Sequence, residues 1–356
     1  MPDLSLDFSL TLFAAVSLTL AAAYAGSMLA MRSQALLDDP NDRSSHEHAI
    51  SRAGGVAMLA ATVVGLFVVA VFASESEAQR TAVQFLVLGV FAGGVGLADD
   101  RLNLSAPVKF GGQLLVAVLF VLWVGPLEQA ALPLVGVVDL GPAGAGVTIF
   151  WIVAFLNVFN FMDGVNGIAG SAAAIGLALF ALVAGQASVG AASAIAMITL
   201  AAALGFLPAN AVRGRLFMGD CGSHFLAFMI AGLAVFAANA SNGQINPLLM
   251  PTIFLPFIVD VAFTLAHRIM RRQNILVAHR DHIYQLILRR GASHATVAAL
   301  YAGAIAFCAA GAIVMLTLPP AWMWAAPALI AVLLAVVAMR IYAAAKANGM
   351  VDELAN

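Results

Sequence analysis

Charge is scarce in this sequence. Only 10% of its 356 residues are Asp, Glu, Lys or Arg, and 63% are hydrophobic. A soluble domain carries roughly 25% charged residues, so a soluble globular fold is excluded. Cysteine is nearly absent: Cys221 and Cys308 stand alone and far apart. That excludes a disulfide framework and a CxxC metal or redox motif. The stretch ahead of the first span has Asp3 and Asp7, with no Lys or Arg before Arg32. A cleaved signal needs a basic n-region, so the expectation is a retained helix despite the Ala23-Tyr24-Ala25 triplet. There is no internal repeat and no low-complexity tract. The net charge of -2 offers nothing to nucleic acid.

What the chain has instead is long apolar runs. They repeatedly reach the roughly 20 residues needed to cross a bilayer. The expected spans are 8–31, 54–73, 81–98, 107–125, 147–163, 167–186, 189–207, 223–240, 247–267, 296–316 and 322–343. Eleven spans put every Lys and Arg except Arg80 on one side, 15 of the 16 in the chain. The positive-inside rule makes that side cytoplasmic. The expectation is an all-α polytopic membrane protein of about 11 transmembrane helices, with the N-terminus outside and the C-terminus cytoplasmic. It is a single domain, 1–356, with its motifs between about 35 and 295. The long outside connection, 126–146, has β-branched residues, a central Gly and a Gly-Pro turn, which suits a small hairpin. Its only acids are Glu128 and Asp139, and it has no basic or histidine residue.

The chemistry is concentrated at the other face. The apolar run 147–156 ends in NVFNFMDGVNGIAG, where Asn157, Asn160, Asp163 and Asn166 recur every third residue. Steps of three on a helix drift by about 60°, so the first three share one broad face. Polar groups are costly in hydrocarbon, so this end should meet a polar cleft, a ligand or an ion. A packing seam of small and amide residues is the plainer reading. Asp99-Asp100 ends the third span, with Asn103 four residues beyond Asp99 and Lys109 opening the next span. Gly219-Asp220-Cys221-Gly222-Ser223 places an acid between glycines before another span. Ser223 and the free amides of the helix that follows are expected to hold an anion. A carboxylate beside it suits Mg²⁺, which takes one or two protein carboxylates plus phosphate oxygens and water. Arg52, Lys109, Arg213 and Arg215 read as phosphate contacts or as plain anchors. His279-Arg280-Asp281-His282 mixes donors and acceptors. Without cysteine or a second close ligand pair it fits sugar or phosphate recognition better than zinc. A short amphipathic helix is expected over 282–290, stopped by Gly291. Asp260, inside the ninth span, reads as a cleft wall or as the counter-charge of Arg268. Four acids, several amides and a basic rim together describe a Mg²⁺–pyrophosphate site in a cleft at the cytoplasmic face.

The ordered set LADDRLN, NVFNFMDGVNGIAG, FMGDCGS and HRDH resembles the polyprenyl-phosphate N-acetylhexosamine-1-phosphate transferases, membrane enzymes of glycosyltransferase family 4. The members that start O-antigen and other surface polysaccharides look nearest. The resemblance implies transfer of a sugar 1-phosphate from a UDP-sugar to undecaprenyl phosphate in the bacterial inner membrane. UMP is released, with Mg²⁺ or Mn²⁺ as cofactor. It implies Asp99 and Asp100 as the catalytic pair, Asp220 as metal ligand with Asn160 as a second contact, and Asp163 and Asn166 near the nucleotide. Arg52, Asn103, Lys109, Asn157, Ser223, His279, Arg280 and His282 complete the expected substrate-binding set. The expected partners are these two substrates and the bilayer, with a homodimer allowed and no nucleic acid. The peptidoglycan branch and the best-known polysaccharide initiators of the family carry a denser histidine run where this chain has HRDH, which leaves the sugar open. Another Mg²⁺-dependent lipid transferase is the nearest alternative. Such enzymes resemble DxxxD patterns, which Asn103 interrupts. A secondary transporter would show mid-bilayer ionisable groups and repeats, whereas here the clustered acids sit at span ends and no repeat is evident.

Overall fold

The computed structural model describes residues 6–32, 36–38, 50–274 and 280–351. Helix α1 (Leu6–Ala30) is followed by a short antiparallel pair, β1 (Leu37–Asp38) and β2 (Ile50–Ser51). Helices α2 (Gly54–Phe72), α3 (Ser76–Leu102) and α4 (Ala106–Trp123) come next. The expected hairpin is present as β3 (Gln129–Leu132) and β4 (Gly136–Asp139), in register Gln129 to Asp139. Then follow α5 (Ala143–Met162), α6 (Ile168–Gln186) and α7 (Gly190–Leu207), which runs on as a π-helical turn, Pro208–Val212. The rest is α8 (Gly219–Ala240), α9 (Leu249–Ile253), α10 (Leu255–Met270), α11 (Ile283–Arg289), α12 (His294–Thr317) and α13 (Ala325–Ala347).

Ten of these helices, with their flanking turns, are long and apolar enough to cross a membrane. The ninth expected span, 247–267, is not one helix. It breaks at Phe254 into α9 and α10. Pro256 has no N–H to give the Thr252 carbonyl, and its ring crowds that carbonyl, so the helical ladder cannot continue through it. Helix α11 is present at the predicted place, and Gly291 after it takes φ +93°.

The last turn of α8 and the turn before α13 both bind the segment that holds the hairpin: Asn239 Nδ2 donates to the Pro126 carbonyl at 2.7 Å. The Leu134 N–H donates to the Ala321 carbonyl at 3.0 Å. At the opposite end lie the ends of α3, α4, α5 and α8, with Asp99 and Asp100, Lys109, Asp163 and Asp220 respectively.

Helix α8 is the axis of the bundle. Residues 221–235 are all buried, and aromatic edges from Phe85 and Phe120 close on Phe228. One continuous apolar cluster runs from Phe8 to Met315. A smaller one joins α11 to α13 through Ile283, Leu286, Ala338 and Tyr342. Small residues let helices approach closely where the hydrophobic effect gives no drive between them. Gly96 is the limiting case: a Cβ there would fall 2.0 Å from the Asp220 carbonyl oxygen. The end of α3 therefore lies directly against the start of α8.

Gly96→Ala is expected to wedge these two helices apart. Overpacking of this kind costs about 1–3 kcal/mol. The thermal midpoint of the detergent-purified variant should fall by several degrees, and an unchanged midpoint would show that the contact yields freely.

Candidate active site

Three helix ends deliver the charged groups. The last turn of α3 carries Asp99 and Asp100, the first turn of α4 carries Lys109, and the first turn of α8 carries Asp220. Pro107 suits that first turn of α4, where its missing N–H is not needed. Asn103, at φ 48°, ends α3. Its N–H donates to the Asp99 carbonyl at 2.9 Å, and its exposed side chain does not continue the helical face. The Asp99 carboxylate accepts the Leu104 N–H at 2.9 Å through one oxygen and the Lys109 ammonium at 2.6 Å through the other. The same ammonium also donates to Asp220 Oδ2. Asn160, on α5, donates to Asp220 Oδ1 and to Ser223 Oγ, both at 2.9 Å.

Asp100 behaves differently from its neighbour. Its two oxygens accept the Asp220 N–H at 3.0 Å and the Cys221 N–H at 2.9 Å. A carboxylate on the first-turn amides of a helix satisfies orphan donors and complements the helix dipole. The anion site expected from Ser223 and these amides is therefore closed here. Asp100 occupies the amides, and Ser223 is fully buried with its hydroxyl on Asn160 and the Asp220 carbonyl. Asn157 is likewise engaged within the protein, donating to Gln113 Oε1 and the Val153 carbonyl, both at 2.8 Å.

The turn after α5 is left open to a ligand. Asp163 ends that helix, and its carboxylate has no hydrogen bond or ion pair among the described residues. Burial, then Asp220, then Asp100 hold its carboxyl well above the usual carboxylate range. Asn166 Oδ1 is buried with no partner among the described residues. The turn is fixed from beneath by Asn210, which accepts the Gly167 N–H at 2.7 Å and donates to the Leu216 carbonyl at 2.8 Å. Arg52 is brought in by its backbone: Phe217 N–H donates to the Ser51 carbonyl at 2.8 Å, so the Arg52 segment runs beside the entry to α8.

The HRDH segment is only partly placed as expected. His279 lies outside the described residues. Arg280 is partly buried, and its Nη2 has no partner among the described residues. His282 is 3% exposed, and its Nδ1 sits 3.1 Å from Asp260 Oδ1. It faces inward, because Asp260 collects the first amides of α11: Ile283 N–H at 2.9 Å and Tyr284 N–H at 3.2 Å. Asp260 also accepts the Tyr301 hydroxyl. The expected pairing of Asp260 with Arg268 is not formed. Arg268 instead binds Asp281 at 2.7 Å. Tyr284 then reaches the turn after α5, donating to the Phe161 carbonyl at 3.1 Å. Burial, with Asp260 and Asp163 nearby, raises its phenol above the ordinary value, so it stays a donor. Gly164 makes room for it: a Cβ there would lie 2.0 Å from the phenol oxygen.

Four residues were missed from sequence: Gln113, Asn210, His224 and Tyr284. Two carried a usable signal, since Gln113 is four residues after Lys109 and His224 four after Asp220, which places each pair on one helix face.

Oxygens from Asp99 and Asp220 converge on one positive centre, the Lys109 ammonium. Hard oxygen donors of this kind suit a divalent cation, and Asp163 adds a carboxyl group with no hydrogen bond or ion pair among the described residues. Among the described residues no three His, Cys, Asp or Glu side chains form a metal cage by themselves. The set fits a cation that completes its shell with phosphate oxygens and water.

Asp163→Asn removes a carboxylate that is penalised when ionised. The wild-type penalty is present above the unfolded pKa and disappears as pH falls and the group protonates in both states. The variant should therefore melt higher than wild type at pH 8, by an amount that shrinks toward pH 4. Equal midpoints at pH 8 would mean that Asp163 is well solvated.

The chain matches glycosyl transferase family 4 across residues 82–238. It is 30% identical over 260 residues to a probable undecaprenyl-phosphate N-acetylglucosaminyl 1-phosphate transferase of Bacillus subtilis (strain 168), covering 72% of this chain and 71% of that one. It is 29% identical over 307 residues to a decaprenyl-phosphate N-acetylglucosaminephosphotransferase of Mycobacterium tuberculosis, covering 77% and 75%. An undecaprenyl-phosphate alpha-N-acetylglucosaminyl 1-phosphate transferase of Escherichia coli (strain K12) is 26% identical over 266 residues, covering 72% and 70%.

Proposed function

The chain belongs to glycosyl transferase family 4, and from that premise we propose how its site moves a sugar 1-phosphate onto a prenyl phosphate. The donor in this proposal is a UDP-sugar, with an N-acetylhexosamine as the sugar. The acceptor is undecaprenyl phosphate, and the products are UMP and a prenyl pyrophosphate bearing one sugar. That product would prime a cell-surface polysaccharide such as O-antigen. The observation that carries the reading is the meeting of Asp99 and Asp220, from two helices, on the Lys109 ammonium at the ends of apolar helices. A water-soluble nucleotide and a bilayer-bound phosphate can both reach such a place.

A phosphate monoester loses its second proton near pKa ~6, so the acceptor is largely dianionic at neutral pH. It is already a nucleophile, and the chain need not supply a strong base. An acceptor oxygen bonds to the sugar-bearing phosphorus of the donor. The bond from that phosphorus to the bridging oxygen breaks, and the bridging oxygen leaves with UMP. Positioning and charge neutralisation dominate such transfers. Mg²⁺, or Mn²⁺ in its place, would supply neutralisation of the pyrophosphate when bound. Asp220 and Asp99 would hold it, with Asn160 orienting Asp220. Lys109 would then offer its ammonium to phosphate oxygens. Asp100 acts by fixing the start of α8, and so the direction of Asp220. Asn166 Oδ1 offers an acceptor to a nucleotide N–H, while Asp163 and Arg280 border the donor. The one-sided basic residues support a cytoplasmic position for this end of the bundle, with the N-terminus outside, in a bacterial inner membrane as the proposed location.

Purified protein given a panel of UDP-sugars should release UMP only when polyprenyl phosphate is present. Chelation should stop the reaction, and Mg²⁺ or Mn²⁺ should restore it. Asp220→Asn should lower kcat roughly 10²–10³-fold, the range for loss of one electrostatic stabiliser. UMP release that ignores the lipid, or no release from any UDP-sugar, would refute the proposal; a transporter releases none.

Orientation is checked separately by single cysteines. Cys221 and Cys308 are buried and should remain silent. Ser105→Cys and Ser293→Cys should react with impermeant reagent only from the cytoplasm, and Leu134→Cys only from outside. Any reversed site overturns the orientation.

A further inference from the structure

One helical turn deeper than the charged site lies a second layer built from the same three helices. Above are Lys109 on α4, Asp220 on α8 and Asn160 on α5. Below are Gln113 on α4, His224 on α8 and Asn157 on α5. Gln113 and His224 are buried, at 1% and 0% exposure. Such groups are costly inside a bundle unless each finds a partner.

The partners fix every donor and acceptor. Two backbone carbonyls, which can only accept, close the chain. At one end the Val153 carbonyl takes an N–H from Asn157, so Asn157 Nδ2 is the donor there and toward Gln113 Oε1. Gln113 must then turn its Nε2 toward His224 Nε2, 3.0 Å away. That ring nitrogen is an acceptor. At the other end His224 Nδ1 lies 2.9 Å from the Asp220 carbonyl, so Nδ1 carries the proton. The ring is neutral, with hydrogen on Nδ1 alone. The layer is complete in itself and adds no charge under a site already rich in carboxylates.

We infer that Gln113, His224 and Asn157 form a positioning layer that sets the register of α4, α5 and α8, and thereby keeps Lys109 and Asp220 in contact one turn above. The packing of α4 against α5, and of α5 against α8, would by itself tolerate small slides. A directed hydrogen-bond chain across all three does not. These are positioning residues, since none touches the reacting groups through its side chain. His224 acts through the backbone of Asp220, and Gln113 through the helix that carries Lys109. The inference rests on the transfer site described above, but its tautomer can be tested without turnover.

The test uses the full chain in detergent with ¹⁵N-labelled histidine, His224 being assigned by its loss in His224→Asn. At pH 7 the Nδ1 signal should be of the protonated pyrrole type and Nε2 of the bare pyridine type. Hydrogen on Nε2, alone or as imidazolium, overturns the inferred layer whatever the protein catalyses. In kinetics, His224→Leu and Gln113→Leu should each lower kcat per folded molecule roughly ten- to a hundredfold, the scale of small misplacements at a reacting centre. KM for both substrates should stay within about twofold. His224→Asn, which keeps an N–H near the Asp220 carbonyl, should recover more activity than His224→Gln. In a Lys109→Ala background, His224→Leu should cost almost nothing further, since both act through one contact. Full additivity, or losses explained by the folded fraction alone, overturns the positioning role. If His224→Leu does not fold, Gln113→Leu carries the same kinetic test. If no transfer occurs even in wild type while the tautomer is as stated, the transferase reading fails and the layer stands as a structural one.

Discussion

The structure depends on compensating negative charge at the end of an apolar bundle. Asp99, Asp100, Asp163 and Asp220 are gathered where water is limited, and each is handled differently. Asp99 and Asp220 share the Lys109 ammonium. Asp100 is hydrogen-bonded by the amides that open α8. Asp163 has no partner among the described residues. Buried charge without a partner is expensive, and the expense is tolerated where a ligand later supplies the balance. A pyrophosphate with its cation is such a ligand, because it brings charges of both signs.

Much of this was legible because the bilayer simplifies the problem. Hydrocarbon penalises every polar group, so Asn157, Asn160 and Asp163 stood out against an apolar run. The hairpin at 129–139 and α11 followed from turn residues. The ninth span was read as continuous because its composition is uniformly apolar. Hydropathy does not register that Pro256 interrupts the hydrogen-bond ladder within it.

Individual roles were less legible than the site as a whole. Adjacent in sequence, Asp99 and Asp100 look equivalent, yet a helix turns consecutive side chains about 100° apart. One faces Lys109 and the other the α8 amides. Ser223 and His282 are polar and close to the site, but polarity does not say whether a group meets substrate or a neighbouring helix. Both are occupied inside the protein. Asp260 was read against Arg268 on its own helix. The partners it takes are amides from α11, twenty-odd residues on, which only the folded path of the chain brings near.

Helix α8 is enclosed almost throughout, and its first two turns hold Asp220, Ser223 and His224. Lipid offers such a segment no partners. The side-chain partners those residues take from other helices come from α3, α4 and α5, and the glycine that admits the α8 backbone comes from α3. All three precede α8 in the chain. During synthesis the receiving groove therefore leaves the ribosome first, and α8 can enter a place already lined with its hydrogen-bond partners. The order of elements along the sequence is thus also an order of assembly, in which a helix with polar first turns is inserted after the helices that hold their hydrogen-bond partners.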